Sequence, residues 1–137
     1  MKKLLFKSMI VLALIVCASF TGCTQDEEYP LTVTFKNTTG EKITLISFSE
    51  DVKNDIPVVI EPKTETKVFS HFCEGLYFTF LYKERKYDTN TGYAQDYSSY
   101  NIVFSENDQH NIECLFKARS IFWGDEIRLL DLYEIHD

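Results

Sequence analysis

Five of the eight tyrosines fall between positions 82 and 100: Tyr82, Tyr87, Tyr93, Tyr97 and Tyr100. Asp88, Asn90, Gln95, Asp96 and Ser98 lie among them, so one segment offers flat aromatic faces together with hydrogen-bonding groups. That combination suits a sugar, whose C–H faces stack on rings while polar side chains read its hydroxyls. It suits a protein partner as well, because tyrosine gives a large contact area at low entropic cost. The candidate ligand-binding set is therefore Tyr87, Asp88, Asn90, Tyr93, Asp96, Tyr97 and Tyr100. The same residues also admit a structural reading, in which Tyr82 and Tyr100 end strands and the rings between them fold back as a lid over the core.

Other constellations point to chemistry less well. Asp88, Asn90, Gly92 and Asp96 have something of a calcium loop's oxygen spacing, but positions six and twelve, where such a loop needs Gly and Glu, are Tyr93 and Ser99. His71 and Cys73 stand two apart, and strand neighbours at that spacing sit roughly 6 to 7 Å apart, too far for a thiolate and its base. His110 and His136 complete a scattered set of three histidines without zinc-ligand spacing. A glycosidase needs two carboxylates facing each other across a cleft, whereas Asp125-Glu126 and Asp131 with Glu134 fall at strand starts or edges. There is no Gly-rich phosphate loop and no Gly-x-Ser-x-Gly. These features predict a protein that is not an enzyme and that uses no metal and no cofactor. Trp123, the only tryptophan, fits either a filled sandwich end or an exposed binding anchor.

The elements that must position these residues read as strands from Leu31 onward. Leu31, Val33 and Phe35 alternate with Thr32, Thr34 and Lys36, the pattern of a half-buried strand. Asn37-Thr38-Thr39-Gly40 then supplies turn residues before Ile43 to Phe48, which predicts an opening hairpin. Ile56 to Ile60 forms a short strand that Pro57 confines to a sheet edge. Thr66 to Cys73 and Leu76 to Lys83 flank Glu74-Gly75, the length of a tight hairpin connection. In the second of these, Leu76, Phe78, Phe80 and Tyr82 share one face and Tyr77, Thr79 and Leu81 the other, which places it centrally. Tyr87 to Tyr100 reads as a long loop, followed by strands at Tyr100 to Ser105, Asn111 to Ala118 and Glu126 to Ile135. The expected fold is all-β: one antiparallel β-sandwich domain of about eight strands, immunoglobulin-like in architecture, with a small closed β-barrel as the alternative.

The N-terminus sets the compartment. Lys2, Lys3 and Lys7 precede an apolar run from Met9 to Phe20, which closes on Phe20-Thr21-Gly22-Cys23. A basic start, a short apolar stretch and small residues at the end are the parts of a secretion signal, and twelve apolar residues are fewer than the roughly 20 that a membrane-crossing helix needs. With its final cysteine this segment resembles the signal of bacterial lipoproteins; Phe20 is a less usual residue three before the cysteine. The resemblance implies cleavage after residue 22, lipid attachment at Cys23 and anchoring to the membrane through acyl chains alone. Thr24-Gln25-Asp26-Glu27-Glu28 is similar to the acidic export signal of some surface lipoproteins, and equally to a plain solvated linker. The organisation expected is a signal over residues 1–22, a lipidated acidic tether over 23–30 and a sandwich over 31–137, held at the outer membrane on its surface or periplasmic face.

Cleavage would remove three lysines and no acid, leaving 11 basic and 21 acidic residues and a charge of about −10. Such a charge repels phosphate backbones and anionic head groups, which excludes nucleic acid as a partner. Cys17 would leave with the signal and Cys23 would be acylated, so Cys73 and Cys114 are expected to pair as a disulfide in an oxidising compartment. The expected function is a lipid-anchored envelope binding protein, its partner a glycan met by the tyrosine segment. The alternative is an interaction lipoprotein docking onto another envelope protein.

Overall fold

The computed structural model describes residues 28–120 and 124–136. The signal segment, Cys23, most of the acidic tether and Trp123 lie outside the described residues. Among the described residues ten strands build the domain: β1 (Leu31–Asn37), β2 (Ile43–Phe48), β3 (Val58–Ile60), β4 (Glu65–Ser70), β5 (Tyr77–Tyr82), β6 (Arg85–Asn90), β7 (Ser99–Glu106), β8 (Ile112–Ser120), β9 (Gly124–Leu129) and β10 (Tyr133–Ile135). They form two open five-stranded sheets, ordered β4-β1-β7-β8-β9 and β10-β6-β5-β2-β3. The result is a small β-sandwich and not a closed barrel. Every paired neighbour is antiparallel except β1 and β7, which run parallel with Val33 opposite Tyr100 and Phe35 opposite Ile102.

Alternation decides which side of each strand meets the other sheet. Leu31, Val33 and Phe35 of β1, Phe78 and Phe80 of β5, Ile102 and Phe104 of β7 and Cys114 and Phe116 of β8 are all buried in the shared core. Four phenylalanines lock its centre: Phe80 and Phe104 meet edge-on at 4.9 Å between ring centroids, and Phe35 meets Phe78 at 5.2 Å and Phe104 at 6.1 Å. Such pairs add about 0.5–1.5 kcal/mol beyond the area they bury. β5 is central in its sheet, and β3, which follows the cis Ile56–Pro57 peptide, is an edge strand, both as the sequence indicates.

Connections depart from the expected ones in four places. β1 and β2 lie in opposite sheets, so residues 38–42 form a crossover in place of a hairpin turn. Asn37 holds that corner: its buried side chain donates to the Glu41 and Ile60 carbonyl oxygens (2.7 and 3.1 Å) and accepts from the Thr39 N–H and hydroxyl (2.9 and 2.7 Å). β4 and β5 are likewise in opposite sheets, so Glu74-Gly75 belongs to a second crossover. The tight hairpin is instead β5–β6, turning at Lys83 and Glu84 with φ of 48° and 64°, the positive values that a two-residue hairpin turn demands. The final segment is two strands, β9 and β10, divided between the sheets with Leu130 buried at the step. These changes raise the count from eight strands to ten.

The expected disulfide is absent, and Cys73 and Cys114 are both free. Cys114 sits opposite Phe104 in the middle of the core. Cys73 lies half-buried in the β4–β5 crossover, where it lines a surface depression with Gly75 and Tyr77, away from the core centre that holds Cys114. Bridgeable cysteines need Cα atoms within about 7 Å.

Candidate functional site

The segment read as one long tyrosine loop is divided by the fold. Its first part is β6, and only residues 91–98 form a loop. Tyr87 points inward and stacks on Phe80 at 5.3 Å. Tyr100 is 2 % exposed, and burial pushes its phenol far above the ordinary range. Tyr97 is half-buried against Phe116 and donates from its hydroxyl to Glu126 Oε2 at 2.6 Å, a bond that raises its phenol, with burial adding to it. Asp96 is exposed beside Tyr97. For Tyr87, Tyr97 and Tyr100 the lid-and-core reading therefore holds, and no single surface gathers the seven predicted residues.

Two of the seven, Asp88 and Asn90, do meet on another surface, the outer face of the β10-β6-β5-β2-β3 sheet, and Tyr93 stands beside it on the following loop. Register places Tyr77 beside Asn90, and Thr79 beside Asp88. β10 sets Tyr133 against the other side of Asp88, and β2 brings Ser47 next to Thr79. Ser47 reaches this face through a bulge: the pairing shifts by one residue between Leu45 and Ser47. Phe48 thereby packs on the core while Ser47 turns outward, a local change of direction of the kind an extra residue in a strand produces.

Together these residues line a groove of about 420 Å³. Tyr77 and Tyr133, each 62 % exposed, are its aromatic walls. Its floor is polar. Asp88 Oδ1 accepts from the Thr79 hydroxyl, and Asn90 Oδ1 accepts from the Gly92 N–H at 2.8 Å. Asp88 Oδ2 and the Asn90 amide nitrogen take no part in these two bonds, so a carboxylate oxygen and an NH2 group remain to accept from and donate to a ligand.

A second depression of about 530 Å³ adjoins the first, sharing Tyr77 and Asn90 and adding Phe72, Tyr93, Glu50 and Glu74. Phe72 is 50 % and Tyr93 62 % exposed. The loop bearing Tyr93 is fixed from beneath. The Ala94 N–H donates to the Glu74 carbonyl at 2.6 Å, and Arg128 Nη2 donates to the Tyr93 carbonyl at 3.1 Å. Arg128 lies over the Phe116 ring at 4.3 Å and faces Glu126 Oε1 at 2.6 Å as an ion pair, outside hydrogen-bond direction. Glycine is required at two points here. A Cβ on Gly75 would stand 2.5 Å from the Gly92 carbonyl oxygen, and Gly92 has φ of 66° with the Arg128 guanidinium packed against it.

The remaining candidates separate from this surface. Asp88 and Asn90 sit on a strand, not in the loop that a calcium site would need. Among the described residues no group of three or more His, Cys, Asp or Glu side chains is placed to hold a metal ion. His71 is engaged elsewhere: it stacks on Tyr29 at 4.8 Å and donates from Nδ1 to the Glu28 carbonyl at 2.9 Å. Burial, with Glu50 adding to it, pushes the Cys73 thiol up, away from a reactive thiolate. Tyr77, Tyr133, Phe72 and Ser47 were missed by sequence reasoning. The outward parity of Tyr77 and Thr79 was visible, but the strands beside them were not. Comparison of the chain with family models, curated proteins and solved structures finds no match.

Proposed function

We propose that this chain is a lipid-anchored binding protein of the bacterial cell envelope, and that it holds a glycan on the outer face of its second sheet without transforming it. The observation that carries this reading is the pair of exposed rings, Tyr77 and Tyr133, set across a polar floor of Asp88, Asn90, Thr79 and Ser47. Rings stack on the apolar faces of a sugar while the free carboxylate oxygen and amide answer its hydroxyls. Anchorage rests on the lipoprotein-like signal ending at Cys23.

Retention of the full chain, in mild detergent, on immobilised polysaccharides tests the binding half. Tyr77→Ala/Tyr133→Ala should abolish retention, whereas Tyr87→Ala should leave its ligand preference unchanged. Labelled palmitate tests the other half: label should enter the wild type and not Cys23→Ala.

One observation favours docking onto an envelope protein instead. Ile127 and Leu129, 63 % and 62 % exposed, stand on the outer face of the edge strand β9. Absence of retention on a broad polysaccharide panel, with capture of an envelope protein that Ile127→Lys prevents, would replace the glycan reading by that one.

A further inference from the structure

We infer that the groove consists of two joined subsites that take one extended, uncharged oligosaccharide rather than a single sugar or an acidic polymer; this rests on the glycan reading. The two depressions, about 420 and 530 Å³, share Tyr77 and Asn90, so they meet across the Tyr77 ring and a long enough ligand reaches from one into the other over it. Each lies within the roughly 300–1,000 Å³ of ordinary ligand pockets. Tyr133 and Tyr77 are two strands apart laterally and two residues apart along the strand, a Cα separation of roughly 12 Å. That exceeds the span of one sugar ring, so the two rings meet different units of a chain. Phe72 and Tyr93 then continue the aromatic surface past Tyr77.

Charge sets the class of sugar. Asp88 lines the first subsite, Glu50 and Glu74 line the second, and among the described residues no lysine or arginine lines either. Lys86 lies two residues from Asp88 on the outward face of β6 but lines neither depression, and Arg128 faces Glu126 and holds the Tyr93 carbonyl. Uronate, sulfate or phosphate groups would meet these three lining carboxylates, whereas neutral hydroxyls meet acceptors that they can satisfy.

Calorimetric titration of the full chain in detergent tests this, using linear gluco-, xylo- and manno-oligosaccharides of two to six units and galacturonate oligomers of the same lengths. Affinity for the neutral series that binds should rise at least roughly tenfold from the dimer to the hexamer, with galacturonates at least roughly tenfold weaker at each length. Tyr93→Ala should flatten the rise beyond the trimer while leaving the shorter ligands unchanged, and Tyr133→Ala should weaken all of them. Affinity independent of length, an equal loss at every length in Tyr93→Ala, or galacturonates binding as tightly would overturn the two-subsite inference while leaving the glycan reading intact. Binding of none of these sugars, together with none on the polysaccharide panel, would remove both.

Discussion

Replacing Gly75 by alanine places a methyl group where there is no room for one. The new Cβ would lie 2.5 Å from the Gly92 carbonyl oxygen and 3.2 Å from its carbon, against an ordinary contact of 3.4–4 Å. Both obstacles are backbone, so no side chain can swing aside, and the two segments must part by roughly 1 Å. Overpacking of this kind costs about 1–3 kcal/mol. The parting also strains three hydrogen bonds: Leu76 N–H to Thr91 Oγ1 (3.0 Å), Thr91 N–H to the Leu76 carbonyl (3.0 Å) and Ala94 N–H to the Glu74 carbonyl (2.6 Å). Each contributes about 1 kcal/mol net, and partial loosening brings the total to about 2–4 kcal/mol. For a domain of this size that lowers Tm by roughly 8–16 °C, at about 4 °C per kcal/mol. Gly40 provides the control, since a Cβ there meets nothing within 4 Å and Gly40→Ala should be neutral or slightly stabilising. Thermal melts followed by circular dichroism compare the pair directly. A Gly75→Ala protein that melts within about 2 °C of Gly40→Ala, less than the effect of 1 kcal/mol, would refute the close-packed account of this corner.

Asn37→Ala, which strands two carbonyl groups and a buried N–H at the first crossover, should cost about 3 kcal/mol in urea unfolding; a loss under about 1 kcal/mol would show that the corner does not depend on this side chain. In unreduced protein, maleimide should label Cys73 slowly under native conditions and Cys114 only after denaturation, because burial pushes the Cys114 thiol far above its ordinary range. Protection of both until a reductant is added would restore the disulfide. Glu106 is held below its ordinary value of 4.5 by the Lys83 ammonium first and the Tyr82 hydroxyl second. The stability it contributes is therefore full above pH 4.5 and lost as pH falls through the lower folded value. Wild-type stability should thus decline more steeply than that of Glu106→Gln below pH 4.5, and parallel curves would exclude this linkage.

Period-two alternation made the class of fold legible, because burial of every second residue in β1, β5, β7 and β8 is all that a sandwich asks of its central strands. Connectivity was not legible. Asn37-Thr38-Thr39-Gly40 and Glu74-Gly75 have the composition of hairpin turns, yet the chain uses both to change sheets, and turn composition does not say which partner a strand finds next. β6 escaped for a related reason. Arg85, Lys86, Asp88 and Asn90 make it polar, and its place in the sheet comes from pairing with β5 and β10 rather than from residue propensity. The candidate site failed along the same line. Tyrosines close in sequence were grouped as if in one loop, whereas strand parity sends Tyr87 inward and Asp88 outward. Tyr133, some forty residues beyond Asp88, arrives beside it only through β10 pairing. The site is a product of register, which a composition-based reading does not carry.

The Tyr29–His71 stack fastens the start of the domain immediately before Phe72, at the mouth of the second subsite. Were Cys23 to carry the acyl group proposed for it, the five residues between it and Tyr29 would allow a leash of at most roughly 20 Å. Such a leash acts as a ruler. It would confine the groove to a thin layer above the lipid and raise the local concentration of whatever polymer lay in that layer. The same groove on a longer leash would search a deeper volume and meet each chain less often.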